Sequence, residues 1–347
     1  YQIKYMDAVP DSAVCNEAVK LAKRHKFAQL SGFVNGVLRN IARNIDSVQF
    51  DTLSIQYSMP QWIVDRFVAA YGEKKAEEIF KAFHSKSTIS IRTNLTRCTP
   101  DELRVMLEAE GVTVTAVDEL NYAFVISGFD YLNGLQSFRD GLFYVQDISS
   151  MLVAQTAAPK KGDYVIDVCA APGGKSTHIA ELLQGSGHVL ARDLTDNKVD
   201  MIEENIERHG LNNMSAEVWD ATVFDADSAG KADILICDLP CSGLGVLGRK
   251  KDIRYKMTPE SVDEIAALQR QILDTVHTYV KPNGVLVYST CTIDEAENED
   301  NVRWFIEKHP EFELDKSFAE GTGMKQILPG EHGSDGFFIA RFIKSKL

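Results

Sequence analysis

Cysteine, proline and positive charge are all scarce in this chain. Cys15, Cys98, Cys169, Cys237, Cys241 and Cys291 are six thiols in 347 residues, too few and too scattered for a disulfide framework. Reduced thiols and a cytoplasmic protein are therefore expected. Only 10 prolines, with 44% hydrophobic and 25% charged residues, exclude disorder as the main state and leave room for two or three domains. No stretch approaches the roughly 18 uninterrupted apolar residues of a membrane helix, and Tyr1 to Pro10 lack a basic-then-apolar signal pattern. No internal repeat or low-complexity tract is present.

The net charge of -13 argues at first against a nucleic-acid partner, because phosphate binding depends on Lys and Arg. Its distribution changes that reading. Residues 1–44 carry +4 and the remainder -17. A second basic run, Arg249-Lys250-Lys251-Asp252-Ile253-Arg254-Tyr255-Lys256, puts five cations and a tyrosine within eight residues. Local patches of this kind bind RNA on acidic proteins, and solvated loops also look this way.

Changes of pattern divide the chain into residues 1–44, 45–141 and 142–347. In the first, helices are expected over Ser12–His25 and Phe27–Arg43, with Phe33, Val34, Val37, Leu38 and Ile41 at helical spacing. Two helices bury little apolar surface, so they either dock on the rest of the chain or end a larger helical domain. The absence of an initiator Met fits the second. After the polar stretch Asn44 to Ser58, helices Pro60–Tyr71, Lys74–Phe83 and Pro100–Glu110, a strand Ile89–Asn94 and short strands near Val112 and Ala123 predict a small α+β unit.

From about Phe143 strands and helices alternate, which predicts an α/β, Rossmann-like parallel sheet. Strands are expected at Tyr164–Val168, His188–Arg192, Ala216–Val218, Ile234–Asp238 and Gly284–Ser289. Helices are expected at Ser176–Leu183, Asp196–His209, Pro259–Tyr279 and Glu295–Lys308. Glu311–Leu314 and Gly336–Ile343 read as a closing antiparallel hairpin.

The turn after the first of these strands, Cys169-Ala170-Ala171-Pro172-Gly173-Gly174-Lys175-Ser176, leads straight into a helix. Its small residues let a ligand approach backbone N–H groups. Gly174-Lys175-Ser176 matches the end of a P-loop, but Cys169 stands where that motif needs Gly. A nucleoside at the switch point of the sheet fits better. Asp193 ends the second strand, about 20 residues beyond the glycines, where an acid can hold ribose hydroxyls. Asp220 follows the third strand, within reach of an adenine.

Cys241 and Cys291 sit on turns after successive strands, in Asp238-Leu239-Pro240-Cys241-Ser242-Gly243 and Ser289-Thr290-Cys291-Thr292. Neighbouring strand ends face one crevice. Cys237, inside an apolar strand, reads as a buried hydrophobe. A disulfide or metal site is a further option for the two turn thiols, but no His lies near either in sequence, so no metal is expected. Methylation at carbon 5 of a pyrimidine explains the rest: a thiolate adding to C6 makes C5 nucleophilic, an acid near N3 stabilises the adduct, and a base must later remove the C5 proton. Asp238 is placed for the N3 task.

These residues resemble the bacterial 16S ribosomal RNA cytosine-5 methyltransferases of the Sun/Fmu group in the RsmB/NOP family. The blocks that carry the resemblance are Phe143 to Ser150, Cys169 to Lys175, Asp238 to Gly243, Ser289-Thr290-Cys291 and Asp335-Gly336-Phe337-Phe338. It implies S-adenosyl-L-methionine as cofactor, held by Cys169, Ala170, Ala171, Pro172, Gly173, Gly174, Lys175, Asp193, Asp220 and Asp238. It further implies Cys291 as nucleophile, Cys241 as the residue assisting release, Asp238 at the cytosine edge and Pro240 shaping the turn. Residues 1–44 would be the last part of a NusB-like helical domain, and Ser58 to about Gly141 an RNA-recognition-like domain. Leu239 departs from the Ala or Pro usual in the family and is expected to tighten the base pocket. The basic loop lacks the Pro often found before its Asp.

16S ribosomal RNA is thus the expected partner, guided by Arg249, Lys250, Lys251 and Arg254, with the protein a monomer. The competing readings are a transfer RNA cytosine-5 methyltransferase and a non-catalytic, cofactor-binding assembly factor.

Overall fold

The computed structural model describes residues 1–47, 50–85 and 88–346; Val48 and Gln49 of the polar stretch lie outside them, as do Lys86, Ser87 and Leu347. The chain divides into Tyr1–Met59 and Pro60–Leu347. In the first unit the helices Asp11–Arg24 and Ser31–Asn44 pack on each other, joined by a short turn at Ala28–Leu30. Val14 and Cys15 are buried, whereas Phe33 is 70% exposed, so much of the predicted apolar stripe faces outward.

Four antiparallel strands form the small sheet: β1 (Ile89–Thr93), β2 (Thr113–Val117), β3 (Leu120–Ser127) and β4 (Phe143–Val145), in the order β2-β3-β1-β4. The pattern places Phe143 at the start of the parallel region; instead Phe143–Val145 pairs with β1. Three residues are too few for a period to show which sheet they join. The helix Pro100–Ala109 starts with a capping box, Thr99 and Glu102 each accepting from the other's backbone N–H. It covers one face of the sheet through Leu103 and Leu107, against Ile91, Phe124 and Phe143.

Strand alternation turns Arg92 to the other face. Its guanidinium is fully buried and donates to Gln146 Oε1 (2.9 Å) and to Thr177 Oγ1 (3.0 Å), and it pairs with Glu181. Thr177 and Glu181 belong to the helix Gly174–Leu182 of the large domain. A buried charge is tolerated only with such partners, and this one fastens the two sheets together.

The large sheet contains β5 (Tyr164–Asp167), β6 (His188–Asp193), β7 (Met214–Val218), β8 (Ala232–Asp238), β9 (Val280–Thr290), β10 (Phe312–Leu314), β11 (Met324–Ile327) and β12 (Phe337–Lys344). Its order is β10-β12-β9-β8-β5-β6-β7, with β11 also paired to β12. β5 to β9 run parallel, and β12 is antiparallel to β9. The expected Rossmann-like α/β sheet is present. The expected terminal hairpin is a three-stranded arrangement, because β11 in the intervening loop shares the outer edge of β12 with β10.

One face of this sheet buries Ile166, Leu235, Leu286 and Tyr288 under Leu273, Val276 and Phe305. The other buries Val165, Ile234, Ile236 and Val287 under Val153, Ala154, Ile179 and Ala180. The helix Ile148–Ala157, absent from the sequence expectation, is buried on most sides and so has no single apolar stripe to read. The order reverses at β5, whose neighbours are β6 and β8, and the loops after β5 and β8 open a crevice there.

Candidate active site

The turn after β5 is built for backbone approach. Gly173 has φ +102°, a conformation that a side chain opposes. Ala171 N–H donates to Asp193 Oδ2 (2.9 Å), and the Pro172 carbonyl accepts from Asn205 Nδ2 (2.9 Å) and the Tyr144 hydroxyl (3.2 Å). Asp193 also accepts from Leu194 N–H and Lys198 Nζ, both at 2.8 Å, and is 4% exposed. Asp220 lies on the exposed loop after β7, where its carboxylate accepts from Thr222 N–H (2.8 Å). The predicted loop and acids thus occupy strand ends on one side of the sheet, and small residues beside an acid fit a nucleoside with its ribose.

Lys175, expected in the cofactor loop, places its ammonium 2.7 Å from Asp238 Oδ2, another of the expected site residues, and 5.4 Å from the centre of the Phe337 ring. Burial opposes its charge, but Asp238 outweighs burial and raises the Lys175 pKa. Ser289 Oγ donates to the other Asp238 oxygen at 2.7 Å. Sequence reasoning passed over Asp167, the last residue of β5, although an acid ending an apolar strand was the signal that found Asp193. Asp167 is fully buried and receives the Ser176 hydroxyl at 2.5 Å; burial, aided by Asp238, pushes its pKa up to about 7.

The two turn thiols meet. β8 and β9 are adjacent, with Asp238 opposite Ser289, and the loops leaving them bring Cys241 Sγ within 2.9 Å of Cys291 Sγ. The Cys291 pKa is lowered, first by the hydrogen bond with Cys241 and then with help from the Lys175 and Lys250 cations. Cys241 is raised by the same bond, by burial and by Glu297. Burial and Asp238 oppose the Cys291 charge, and of the two thiols Cys291 is the one held lower. Burial and the carboxylates around it push Cys169 far up, and burial does the same to Cys237, so both stay protonated and unreactive.

Behind Cys241, Glu297 accepts from Ser242 N–H (2.9 Å) and Gln269 Nε2 (2.9 Å), and Gln269 also donates to the Pro240 carbonyl (2.8 Å). These supports come from the turn before the helix Glu299–Lys308 and from the helix Pro259–Val276, distant in sequence from Cys241, and left no local motif. Cys291 itself is held by its backbone: Gly245 N–H donates to its carbonyl (3.1 Å), and Gly336 N–H donates to the Gly245 carbonyl (2.9 Å). A Cβ on Gly245 would stand 2.3 Å from the Gly336 oxygen and 2.8 Å from that of Cys291, so only glycine fits. Leu239 is packed into the core at 3% exposure, not in the base pocket as expected, because its N–H bonds β9 and its side chain turns beneath the sheet end.

The four predicted RNA-guiding cations separate into two pairs. Lys250 and Lys251 are exposed. Arg254 is 4% exposed, and its guanidinium donates to the Leu247 carbonyl at 3.1 Å, so it braces the loop from inside rather than facing a strand of RNA. Arg249 is occupied by Asp335 (2.6 Å), Asp147 (3.1 Å) and the Thr88 carbonyl (3.0 Å). Asp147 also caps the helix Ile148–Ala157. Burial and the neighbouring Asp147 push Asp335 up to about 6.

A parallel sheet reversing at β5, a small-residue turn, a strand-end acid and a pair of facing thiols define an S-adenosylmethionine-dependent methyltransferase. Residues 154–343 match the family model for 16S rRNA methyltransferase RsmB/F, residues 59–129 the ferredoxin-like domain of the same proteins, and residues 1–43 the NusB family. The probable ribosomal RNA small subunit methyltransferase B of Bacillus subtilis is 38% identical over 99% of this chain and 80% of its own length. Among solved structures, PH0851 superposes with a TM-score of 0.81 at 28% identity, over 97% of this chain and 78% of that one. NSun6 from Pyrococcus horikoshii with SFG gives 0.74 at 25% identity, over 83% and 99%. The chain belongs to the RsmB/F family of 16S rRNA methyltransferases.

Proposed function

We propose that this enzyme methylates carbon 5 of a cytosine in 16S ribosomal RNA through a covalent bond between Cys291 and carbon 6. The observation that carries the reading is the 2.9 Å approach of Cys241 and Cys291 beside the Lys175–Asp238 pair. The Ala170 to Gly174 backbone and Asp193 would hold the cofactor's amino-acid and ribose parts, with Asp220 on the adenine side. Bound S-adenosylmethionine supplies the electrophilic methyl group that activated carbon 5 takes.

Cys291 begins the reaction: its thiolate forms the C6–S bond, and the C5–C6 π electrons pass to the ring. Asp238 faces the cytosine edge, and the Lys175 ammonium beside it balances the charge that builds at N3. After methyl transfer a general base takes the C5 proton, the C5–H electrons re-form the C5–C6 double bond, and the C6–S electrons return to Cys291 as that bond breaks. Cys241, in contact with the same sulfur, assists this release. The target base must leave its stack to reach the thiols. Lys250 and Lys251 would guide its strand, and the helical region 1–44 and the small α+β region 45–141 would add RNA contacts beside the catalytic region 142–347.

A trapping experiment tests the reading. Wild type, Cys241→Ala and Cys291→Ala are incubated with S-adenosylmethionine and small-subunit rRNA, then denatured. A protein–RNA adduct should accumulate in Cys241→Ala and be absent in Cys291→Ala. Methyl transfer by Cys291→Ala at the wild-type rate would end the covalent reading.

A further inference from the structure

Far from the thiols, three segments meet at the other end of the large sheet. His277 opens the turn His277–Tyr279 between the helix Pro259–Val276 and β9; His309 follows the helix Glu299–Lys308; Glu311 precedes β10. Cys291 and Asp238 lie at the carboxyl ends of β9 and β8, whereas this cluster lies where β9 begins.

The donor atoms of the three residues all fall within 4.8 Å of one another. Glu311 Oε1 is 3.7 Å from His277 Nε2 and 4.0 Å from His309 Nδ1. Ligands at zinc distances of ~2.0–2.1 Å around a tetrahedral ion stand about 3.4 Å apart, so the two contacts of Glu311 need only a few tenths of an ångström of closure, and the two imidazoles, within 4.8 Å of each other, must approach further, by up to about 1.4 Å, through side-chain rotation. The outer contacts are also suited to it. Asp274 Oδ1 lies 3.2 Å from His309 Nε2, a carboxylate on the outer side of the ring whose Nδ1 faces Glu311. Lys308 pairs with Asp274 (2.9 Å), and Lys344 donates to the Val280 carbonyl (2.9 Å), so the nearby cations have partners of their own. Side-chain exposures of 15%, 8% and 24% for His277, His309 and Glu311 leave the cluster shielded yet reachable.

We propose that His277, His309 and Glu311 form a site for a divalent transition-metal ion of the zinc type. Two imidazoles and one carboxylate are a zinc ligand set with a fourth position left for water. The ion ties the ends of two helices to the starts of β9 and β10, a structural role separate from methyl transfer. The expectation of no metal came from the cysteines; this set is assembled from His and Glu that are distant in sequence.

The test uses the full chain carrying Cys241→Ser and Cys291→Ser, so that the facing thiols do not compete for zinc. Equilibrium dialysis against zinc chloride should give one ion per chain, and zinc should raise the thermal midpoint. Glu311→Gln and His277→Gln should each weaken zinc binding at least about tenfold, and Asp274→Asn by ~10–100-fold. Cobalt in place of zinc should give a spectrum without thiolate charge-transfer bands. Absence of bound zinc, unchanged affinity in Glu311→Gln, or thiolate bands with cobalt would each overturn the proposal. If His277→Gln does not fold, Glu311→Gln, a part-exposed position, still decides.

Discussion

Cys241 Sγ stands 2.9 Å from Cys291 Sγ, and the hydrogen bond between them lowers the Cys291 pKa. Removing that partner should therefore raise the pKa of Cys291. In Cys241→Ala the pH midpoint for iodoacetamide labelling of Cys291 should move up, and labelling below the midpoint should slow. A midpoint equal to that of wild type would mean that Lys175 and Lys250 stabilise the thiolate without Cys241.

Lys175 pairs with Asp238, beside Cys291. Lys175→Met should lower the single-turnover rate by ~100-fold, the usual scale for a lost proton-handling group, while the dissociation constant for S-adenosylmethionine changes little. Equal losses in cofactor affinity and rate would return Lys175 to a cofactor-binding role.

Arg92 and Glu181 are both buried, with side-chain exposures of 0% and 1%. Taking away one partner strands the other charge, so Arg92→Met should cost about 3–5 kcal/mol in urea unfolding. Arg92→Met with Glu181→Met should recover much of that loss. A double variant no more stable than the single one would show that the remaining contacts of Arg92, to Gln146 and Thr177, dominate.

Lys250 and Lys251 are exposed, whereas Arg249 and Arg254 are held by protein groups. Replacing both lysines by Ala should weaken rRNA binding and reduce the slope of log affinity against log salt by about 2, with thermal stability unchanged. Arg249→Ala should instead lower stability by freeing the Asp147 and Asp335 carboxylates. RNA affinity that ignores Lys250 and Lys251 would place the strand elsewhere.

The fully buried Asp167 titrates at about 7 in the folded chain, against about 3.9 when unfolded. Between those values the folded state binds more protons, so this group makes stability fall as pH rises, up to about pH 7. Asp167→Asn removes that dependence. Its stability relative to wild type should grow from pH 4 to pH 7 and then level off, read from urea midpoints at each pH. A constant difference would mean that Asp167 is already ionised in the native protein.

The strand ends of the candidate site were legible because each joins an apolar run to a turn: Asp193, Asp238, Cys241 and Cys291 all have that setting. What could not be read was direction. Lys175 points to Asp238, Leu239 into the core and Arg254 beneath its own loop, and spacing along a chain does not encode which side of a turn a side chain takes. The helix Ile148–Ala157 escaped because burial on most sides erases periodicity, and β4 because three residues carry none. Glu297 and Gln269 support the Cys241 loop through contacts between elements far apart in sequence.

β12 lies inside the sheet, paired with β9 over Phe338 to Ile343, and Gly336 just before it holds the loop that holds Cys291. During synthesis β9 leaves the ribosome well ahead of β12 and must wait with an open edge. The methyltransferase domain is thus a late-closing one. A chain cut short of Gly336 would keep both turn thiols and lose the backbone bond to Gly245 that supports the Cys291 loop.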